Sequence, residues 1–150
     1  MSALRVPSVG DGHSTTGWLL KIGTGPVSWC SKKQSIVALS STESEYIAAG
    51  SAVQEVLWLR GILCELGATP GTTTVHCDNQ GAKALAESSR YHQRTKHINV
   101  RYHFIRHHVN SGEIKIDWIS TAEQQADIMT KALGPQVYLP LRDKIMGLTS

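Results

Sequence analysis

The segment WLLKIGTGPVSWCS (18–31) contains two apolar stretches separated by a turn rich in Gly and Pro. Aromatic and aliphatic runs bounded by Gly and Pro are typical of strands joined by a tight connection. The segment therefore predicts a β-hairpin, with strands at 18–22 and 27–31 and a turn at 23–26. Upstream, GDGHSTTG (10–17) predicts a turn. Residues 1–10 show little periodicity and predict a weakly ordered start.

A long helix is predicted after the hairpin. The tetrapeptide SSTE (40–43) has the pattern of a capping box, with Ser40 as N-cap and Glu43 three residues later. Apolar residues then recur near helical spacing up to about Leu66, and Gly67 suits the C-terminal cap. At ~1.5 Å per residue, this helix is over ~30 Å long.

The rest of the chain alternates short strands with helices. Strands are predicted at 74–77 and 114–119. Helices are predicted at 80–88, 97–110 and 121–133, the last ended by Gly134-Pro135, and the tail is apolar enough for one more short helix. This order predicts an α/β domain with a mixed sheet covered by helices. All four tryptophans are predicted in the core or at its edge.

Composition indicates one globular domain and excludes several classes of protein. The chain has 150 residues, 41% hydrophobic and 18% charged, with a net charge of +3. It lacks an apolar run long enough for a membrane span and a signal-peptide core. It contains no GxSxG, P-loop or GxGxxG motif. Its three cysteines have no CxxC spacing and are predicted to be buried thiols in a reducing compartment.

Three acidic residues are candidates for a common site. Asp78 directly follows a predicted strand, where α/β sheets bind ligands, although it could simply cap the next helix. Glu45 lies near the start of the long helix, where a negative charge also complements the helix dipole. Asp127 is predicted mid-helix, an unfavourable place for Asp. Carboxylates from three elements at one sheet end would suit a hard cation such as Mg²⁺.

A basic stretch runs from residue 90 to residue 108. It contains five histidines and no acid, together with Arg90, Arg94, Lys96, Arg101 and Arg106. Such a stretch is either a contact for nucleic-acid phosphates or the solvated face of a helix, and charge alone does not separate the two.

Four blocks carry a resemblance to a known family. They are the segments at 26–63 (PVSWCSKKQ to LRGIL), VHCDNQGAKALA (75–86), 94–114 (RTKHINVRYH to NSGEI) and QQADIMTKAL (124–133). In order and spacing, the chain from about Ser14 to Leu133 resembles the ribonuclease H domain of copia-type retrotransposon Pol polyproteins.

The resemblance implies an RNase H-like fold, with an antiparallel meander, parallel strands and helices on both faces. It implies cleavage of the RNA strand of RNA–DNA hybrids by four acids and two Mg²⁺ ions, with Mn²⁺ as a substitute. By motif, Glu45, Asp78 and Asp127 match three of the catalytic, metal-binding acids. Lys32, Lys33, Arg94 and Lys96 are candidates for contacts with the nucleic-acid backbone. The implied setting is intracellular, in a cytoplasmic particle or the nucleus, with a reverse transcriptase domain upstream and no membrane.

The sequence departs from the family where the first catalytic aspartate belongs. The family places it in the first strand, but MSALRVPSV (1–9) contains no acid, and Asp11 precedes Trp18 by only seven residues. The first strand is therefore expected to be truncated or degenerate. Residues 1–12 are predicted to be weakly ordered or to form a degenerate first strand, followed by an RNase H-like domain at 13–134 and a tail with a short helix at 135–150. Three alternatives follow. The chain is a nuclease in which Asp11 or a neighbouring subunit supplies the fourth acid, an inactive nucleic-acid-binding module or remnant of a reverse transcriptase polyprotein, or an unstable pseudogene product.

Overall fold

The computed structural model describes residues 2–7, 13–35, 37–38, 40–78 and 96–148, with backbone only at 2–7 and 96–99. The helix predicted at 80–88 lies outside these residues, and the predicted domain limits stay predictions. The described strands are β1 (Ser2–Pro7), β2 (Ser14–Ile22), β3 (Gly25–Lys33), β4 (Thr73–Cys77) and β5 (Ile114–Trp118). The described helices are α1 (Ser41–Glu65), α2 (Lys96–Asn110) and α3 (Pro135–Ile145).

The strands form one mixed sheet in the order β3-β2-β1-β4-β5. The pairs β1–β2 and β2–β3 are antiparallel, whereas β1–β4 and β4–β5 are parallel. The predicted mixed α/β class is therefore confirmed, and this arrangement is compatible with an RNase H-like fold.

Helical segments cover both faces of the sheet. Trp18 on β2 donates a hydrogen bond from Nε1 to Ser51 Oγ on α1, at 3.2 Å. The preceding residue, Gly17, lies against Met129 and Thr130 of a short helical segment. Because successive residues of a strand lie on opposite faces, α1 and this segment cover opposite sides of the sheet.

The ends of α1 form as the sequence predicts. The Ser40 hydroxyl accepts a hydrogen bond from the Glu43 backbone N–H at 3.1 Å. At the other end, Gly67 has φ +82°, its N–H donates to Cys64 O, and the Ala68 N–H donates to Leu63 O. These two bonds form a Schellman motif, in which glycine takes the left-handed conformation at low steric cost.

The main core lies between the sheet and the α1/α2 side. Its buried residues include Trp18, Leu20, Tyr46, Ala52, Val53, Val56, Val75, Cys77, Tyr102, Ile105, Ile114 and Ile116. By length and composition alone, α1 could cross a membrane. Its apolar residues Ala52, Val53 and Val56 are at most 2% exposed and belong to this core.

The start of the chain differs from the prediction. Instead of a weakly ordered segment, Ser2–Pro7 forms a strand between β2 and β4, and β2 begins at Ser14, inside the predicted turn at 10–17. The physical reason is tertiary context, because hydrogen bonding to neighbouring strands can impose extended backbone on a segment whose own pattern is weak.

The predicted amphipathic helix at 121–133 is also wrong. The chain instead forms two short 3₁₀ helices, Thr121–Glu123 and Gln125–Met129, termed here the 3₁₀ segment. Gln124 between them has an extended backbone (φ −71°, ψ 98°), and its fully buried side chain accepts a hydrogen bond from the Ala126 N–H. This side-chain cap starts a new turn, which interrupts a continuous α-helix. Pro135 then begins α3 at its first turn, where a missing N–H costs nothing.

Three of the four tryptophans are exposed, which contradicts their predicted positions in the core or at its edge. Trp29 on β3 and Trp58 on α1 are 62% and 60% exposed, and Trp118 is 45% exposed, whereas Trp18 is buried. Apolar pattern alone did not separate these positions, because a large share of any folded surface is apolar.

Arg60 forms hydrogen bonds with the loop that leads into β4. Its guanidinium donates to Gly71 O, to Pro70 O at 3.1 Å and to Thr73 Oγ1 at 2.9 Å. We expect Arg60→Ala to lower the free energy of unfolding by about 1–3 kcal/mol, because it leaves partly buried acceptors without their donor. Urea unfolding measures the change. The exposed Arg142, which bonds to its neighbour Asp143, provides the control Arg142→Ala, expected to cost less than ~0.5 kcal/mol. Equal losses in the two variants would contradict the assignment.

Candidate metal and nucleic-acid site

Acidic side chains from two elements meet at the carboxyl end of β4. Asp78 follows the last residue of this strand, and Glu45 comes from the N-terminal part of α1. Ligand atoms of Glu45, Cys77 and Asp78 all lie within 4.8 Å of one another. The fold thus brings together two of the sequence-predicted acids and adds a thiol that the sequence did not indicate as part of the site.

Glu45 is held by the way α1 begins. The Ser40 cap starts the helix, and Glu45 follows its first turn, so that the side chain is only 9% exposed. Gln34, directly after β3, donates from Nε2 to both Thr16 Oγ1 and the backbone oxygen of Ser44, each at 3.0 Å. This buried amide links the end of the hairpin to the residue before Glu45, and it thereby helps to position the Glu45 carboxylate.

Asp78 lies at the edge of the site with one carboxylate oxygen bonded. Its Oδ2 accepts from Thr121 Oγ1 at 3.4 Å, and its backbone oxygen accepts from Trp118 Nε1 at 3.1 Å. Its Oδ1 is buried and has no hydrogen-bond partner among the described residues. Burial raises the pKa of Asp78 above its usual value, and the negative charge of Asp127 raises it further, against the opposing effects of Lys131 and the Thr121 hydrogen bond.

Asp127 approaches from the 3₁₀ segment. It is 5% exposed, and its Oδ2 accepts from Lys131 Nζ at 2.8 Å, while its Oδ1 is buried without a partner among the described residues. Burial raises the pKa of Asp127, and the Lys131 ammonium opposes this shift. The charge of Asp127 acts on Asp78, but Asp127 is not part of the cluster of ligand atoms formed by Glu45, Cys77 and Asp78, and its own charge is paired with Lys131.

The first strand borders the site without contributing an acid. Ser2 pairs with His76 on β4, so β1 continues past the carboxyl end of that strand. Its sequence, SALRVP, contains neither Asp nor Glu. Asp11, the remaining candidate for a fourth acid, lies outside the described residues.

The basic candidates are only partly described. Lys32 and Lys33 are exposed at the carboxyl end of β3, paired with Thr16 and Thr15. Because Gln34 ties this end to the start of α1, the two lysines lie at the same end of the molecule as Glu45. Lys96 begins α2 and is described by its backbone alone. Arg94 lies outside the described residues.

The donor set fits a hard divalent cation. Carboxylate oxygens are the protein ligands that Mg²⁺ and Mn²⁺ prefer. Buried oxygens without hydrogen bonds on Asp78 and Asp127 are costly to bury unless something binds them. Glu45 and Asp78 are therefore the carboxylates that would hold such an ion. Asp127 as a third ligand, and the catalytic role of all three acids, stay predictions.

Several residues of the site could not be predicted from the sequence. Gln34, Thr121 and Lys131 each bond to a site acid or to its neighbour in the chain, but only the fold shows this. Lys131 did carry a signal, because it follows Asp127 by four residues and such a pair can form an ion pair. Cys77 also adjoined Asp78 in the sequence, yet as a buried thiol it suggested only core packing.

Gly17 controls how closely the 3₁₀ segment approaches the sheet. A Cβ built there would lie 2.2 Å from Thr130 Cγ2 and 3.1 Å from Met129 Cβ. We expect Gly17→Ala to destabilise the fold by about 1–3 kcal/mol and to displace Asp127, because the segment must move away from β2. Thermal unfolding and Mn²⁺ titration measure the two effects. Gly25→Ala on β3, where a Cβ meets nothing within 4 Å, is the matched control. A Gly17→Ala variant as stable as this control would contradict the close approach.

Comparisons with known proteins identify the relatives of the chain. It is 45% identical over 137 residues to the retrovirus-related Pol polyprotein from transposon TNT 1-94 of Nicotiana tabacum, a match that covers 91% of this chain. It is 40% identical to the polyproteins from transposons RE1 and RE2 of Arabidopsis thaliana, over 93% and 90% of its length. No protein-family model matches the chain.

The chain spans only about a tenth of each relative, with 10% of the TNT 1-94 and RE1 polyproteins and 9% of the RE2 polyprotein covered. The matches therefore support an origin within such a polyprotein without specifying one of its activities. The homologues of this chain are retrovirus-related Pol polyproteins from copia-type transposons.

Proposed function

We propose that the chain is a ribonuclease H-type domain that hydrolyses the RNA strand of RNA–DNA hybrids with the help of Mg²⁺. The observation that carries the proposal is the meeting of Glu45 and Asp78 at the carboxyl end of a parallel strand, with ligand atoms within 4.8 Å. Asp127 adds a third carboxylate whose charge acts on Asp78. The Pol polyprotein homologues support a parent polyprotein as the setting, and a reverse transcriptase domain upstream is part of the proposal.

The three acids hold and orient the hydrolytic centre. Divalent cations, when bound, lower the pKa of the attacking water and offset the charge that develops on the phosphate. Glu45 is positioned by the capped helix, Asp78 by the strand end, and Asp127 by the 3₁₀ segment. Burial raises the pKa of both aspartates, and the charge of Asp127 raises that of Asp78 further, so their charged forms are disfavoured until a cation binds.

Hybrid binding uses charge next to this centre. Lys32 and Lys33 are the proposed contacts with backbone phosphates. The hydrogen bond from Gln34 to Ser44 O supports this, because it holds the end of β3 at the start of α1. Arg94 and Lys96 are the further candidates from the basic stretch. An A-like hybrid presents its 2′-hydroxyls in a shallow minor groove, and these groups distinguish the RNA strand from DNA.

A second candidate function is a binding module without hydrolysis. The observation that favours it is the lack of any acid in SALRVP, on the strand that borders the site. With one ligand fewer, cation binding weakens while phosphate contacts remain.

Cleavage of an end-labelled RNA–DNA hybrid with Mg²⁺ or Mn²⁺ separates the two candidates. If the chain is a nuclease, products of the RNA strand should form. They should disappear when EDTA is added and in the Glu45→Gln variant. Glu43→Gln, a like change two residues earlier in the same helix, is the control that should retain cleavage. If the chain is only a binding module, it should bind the hybrid in a salt-sensitive way and yield no cleavage products. Cleavage that survives in Glu45→Gln would refute the assigned site.

A further inference from the structure

Cys77 occupies a place in the site that hydrolysis by hard cations does not use. It is the last residue of β4, only 1% exposed, with Asp78 next in the chain and Val75 beside it in the core. Its sulfur lies within 4.8 Å of a carboxylate oxygen from each of Glu45 and Asp78. Mg²⁺ takes oxygen ligands, so this sulfur has no role in its coordination.

One thiolate and two carboxylates form a donor set for a different class of metal ion. Zn²⁺ and its relatives bind sulfur at ~2.3 Å and carboxylate oxygen at ~2.0–2.2 Å in tetrahedral sites, so neighbouring ligand atoms lie about 3.5 Å apart. A limit of 4.8 Å is therefore close enough for small side-chain rotations to complete such a site. Core packing holds the thiol in place, because Cys77 is only 1% exposed and belongs to the core cluster.

We propose that Glu45, Cys77 and Asp78 form a site for a thiophilic divalent cation such as Zn²⁺ or Cd²⁺, with water as the fourth ligand. On binding, the thiol proton passes to the solvent and the sulfur donates its electron pair to the metal. Because the two carboxylates are shared, this ion excludes Mg²⁺ from them and acts as an inhibitor. The inference rests on the proposed function only through these shared acids.

The three cysteines of the chain allow a direct test. Cys30 and Cys64 lie outside the cluster, so Cys30→Ser combined with Cys64→Ser leaves Cys77 as the sole thiol. The full chain with these two changes is titrated with Cd²⁺, and the ultraviolet absorption of the cadmium–thiolate bond is followed. We expect saturation at one equivalent and loss of the band when Cys77→Ser is added. Glu45→Gln in the sole-thiol background should weaken Cd²⁺ binding at least tenfold.

A parallel titration with Mn²⁺ distinguishes this inference from the proposed function. Mn²⁺ binding without a cadmium–thiolate band would overturn the thiol site and leave the hard-cation site standing. A saturable band without Mn²⁺ binding would support the thiol site and contradict the proposed nuclease. An unchanged Cd²⁺ affinity in Glu45→Gln would also overturn the inference, since the thiol would then bind alone. The sole-thiol protein carries the native Cys77, so the test does not depend on whether Cys77→Ser folds.

Discussion

Asp78→Asn is expected to lower the rate of hybrid cleavage at least ~10³-fold, which corresponds to a loss of about 4 kcal/mol of transition-state stabilisation. The same change is expected to make the metal-free protein slightly more stable. Both results follow from the surroundings of Asp78, which is partly buried, lies close to the Glu45 carboxylate and is affected by the charge of Asp127. Its negative charge would bind a cation, but it is unfavourable when the cation is absent. The amide of Asn keeps the size of the side chain and can still accept the Thr121 hydrogen bond.

The sign of the stability effect comes from the raised pKa values. The pKa values of Asp78 and Asp127 lie above the ordinary value of 3.8 in the folded state. Between 3.8 and the folded-state pKa, the native protein binds more protons than the unfolded chain, so the contribution of these groups to stability falls as the pH rises. At neutral pH both groups oppose folding, and Asp78→Asn removes one of them. We expect the metal-free Tm to rise by ~1–3 °C.

With metal bound, the unmodified chain should instead have a higher Tm than Asp78→Asn. At a concentration of 100 Kd, a cation stabilises the native state by about 2.7 kcal/mol, which corresponds to ~5–10 °C in Tm for a chain of this size. Asp78→Asn should lose most of this gain. The shift should also shrink at acid pH in the unmodified chain, because protons compete for the same oxygens.

Differential scanning calorimetry in EDTA and in Mn²⁺ measures these shifts. Asp117→Asn, on the neighbouring strand β5 and paired with Lys115, is the matched control and should keep the Mn²⁺ response. A full Mn²⁺ response in Asp78→Asn would show that the cation binds elsewhere.

Those parts of the fold with strong local signals could be predicted from the sequence. The hairpin was placed by its Gly-Pro turn, and α1 by the Ser40 cap and Gly67. Each of these signals acts within a few residues, through one hydrogen bond or one backbone conformation. The strands β4 and β5 likewise had apolar runs bounded by turns.

The parts that could not be predicted depend on distant contacts. β1 is a strand because β2 and β4 flank it, and its own residues carry little pattern. The 3₁₀ segment replaces a helix because Gln124 is buried and caps Ala126, which no spacing rule reveals. In both cases, tertiary context overrides local propensity.

The candidate site shows the same division. From the sequence, Glu45 was explicable as a helix-end residue and Asp78 as a cap, whereas Asp127 was predicted mid-helix, where Asp is unfavourable. Only the fold brings Glu45 and Asp78 together and lets the charge of Asp127 act on Asp78, and the family resemblance supplied the reason to expect it. Cys77 was missed because a buried thiol in a strand ordinarily indicates packing and nothing more.

Leu4→Asp is expected to raise Mn²⁺ affinity at least tenfold and to increase hybrid cleavage by a similar or larger factor. The reason lies in the backbone register of β1. Residue 4 pairs with Gly17, against which the 3₁₀ segment lies, and it is two residues beyond the pair Ser2–His76 at the end of β4. Position 4 is thus flanked by the two elements that carry Asp127 and Asp78, on the strand where the resemblance places the family's missing acid.

Val6→Asp supplies the matched control for this gain of function. It adds the same charge to the same strand and, because alternate residues share a face, to the same face, but ~6–7 Å further from the end of β4. Isothermal titration with Mn²⁺ and single-turnover cleavage measure both variants. If residue 4 completes the ligand set, only Leu4→Asp gains affinity, and adding Asp78→Asn abolishes the gain, because the two carboxylates act on one cation. Equal gains at positions 4 and 6 would instead reflect added negative charge alone, and the idea that this strand lacks a specific metal ligand would be wrong.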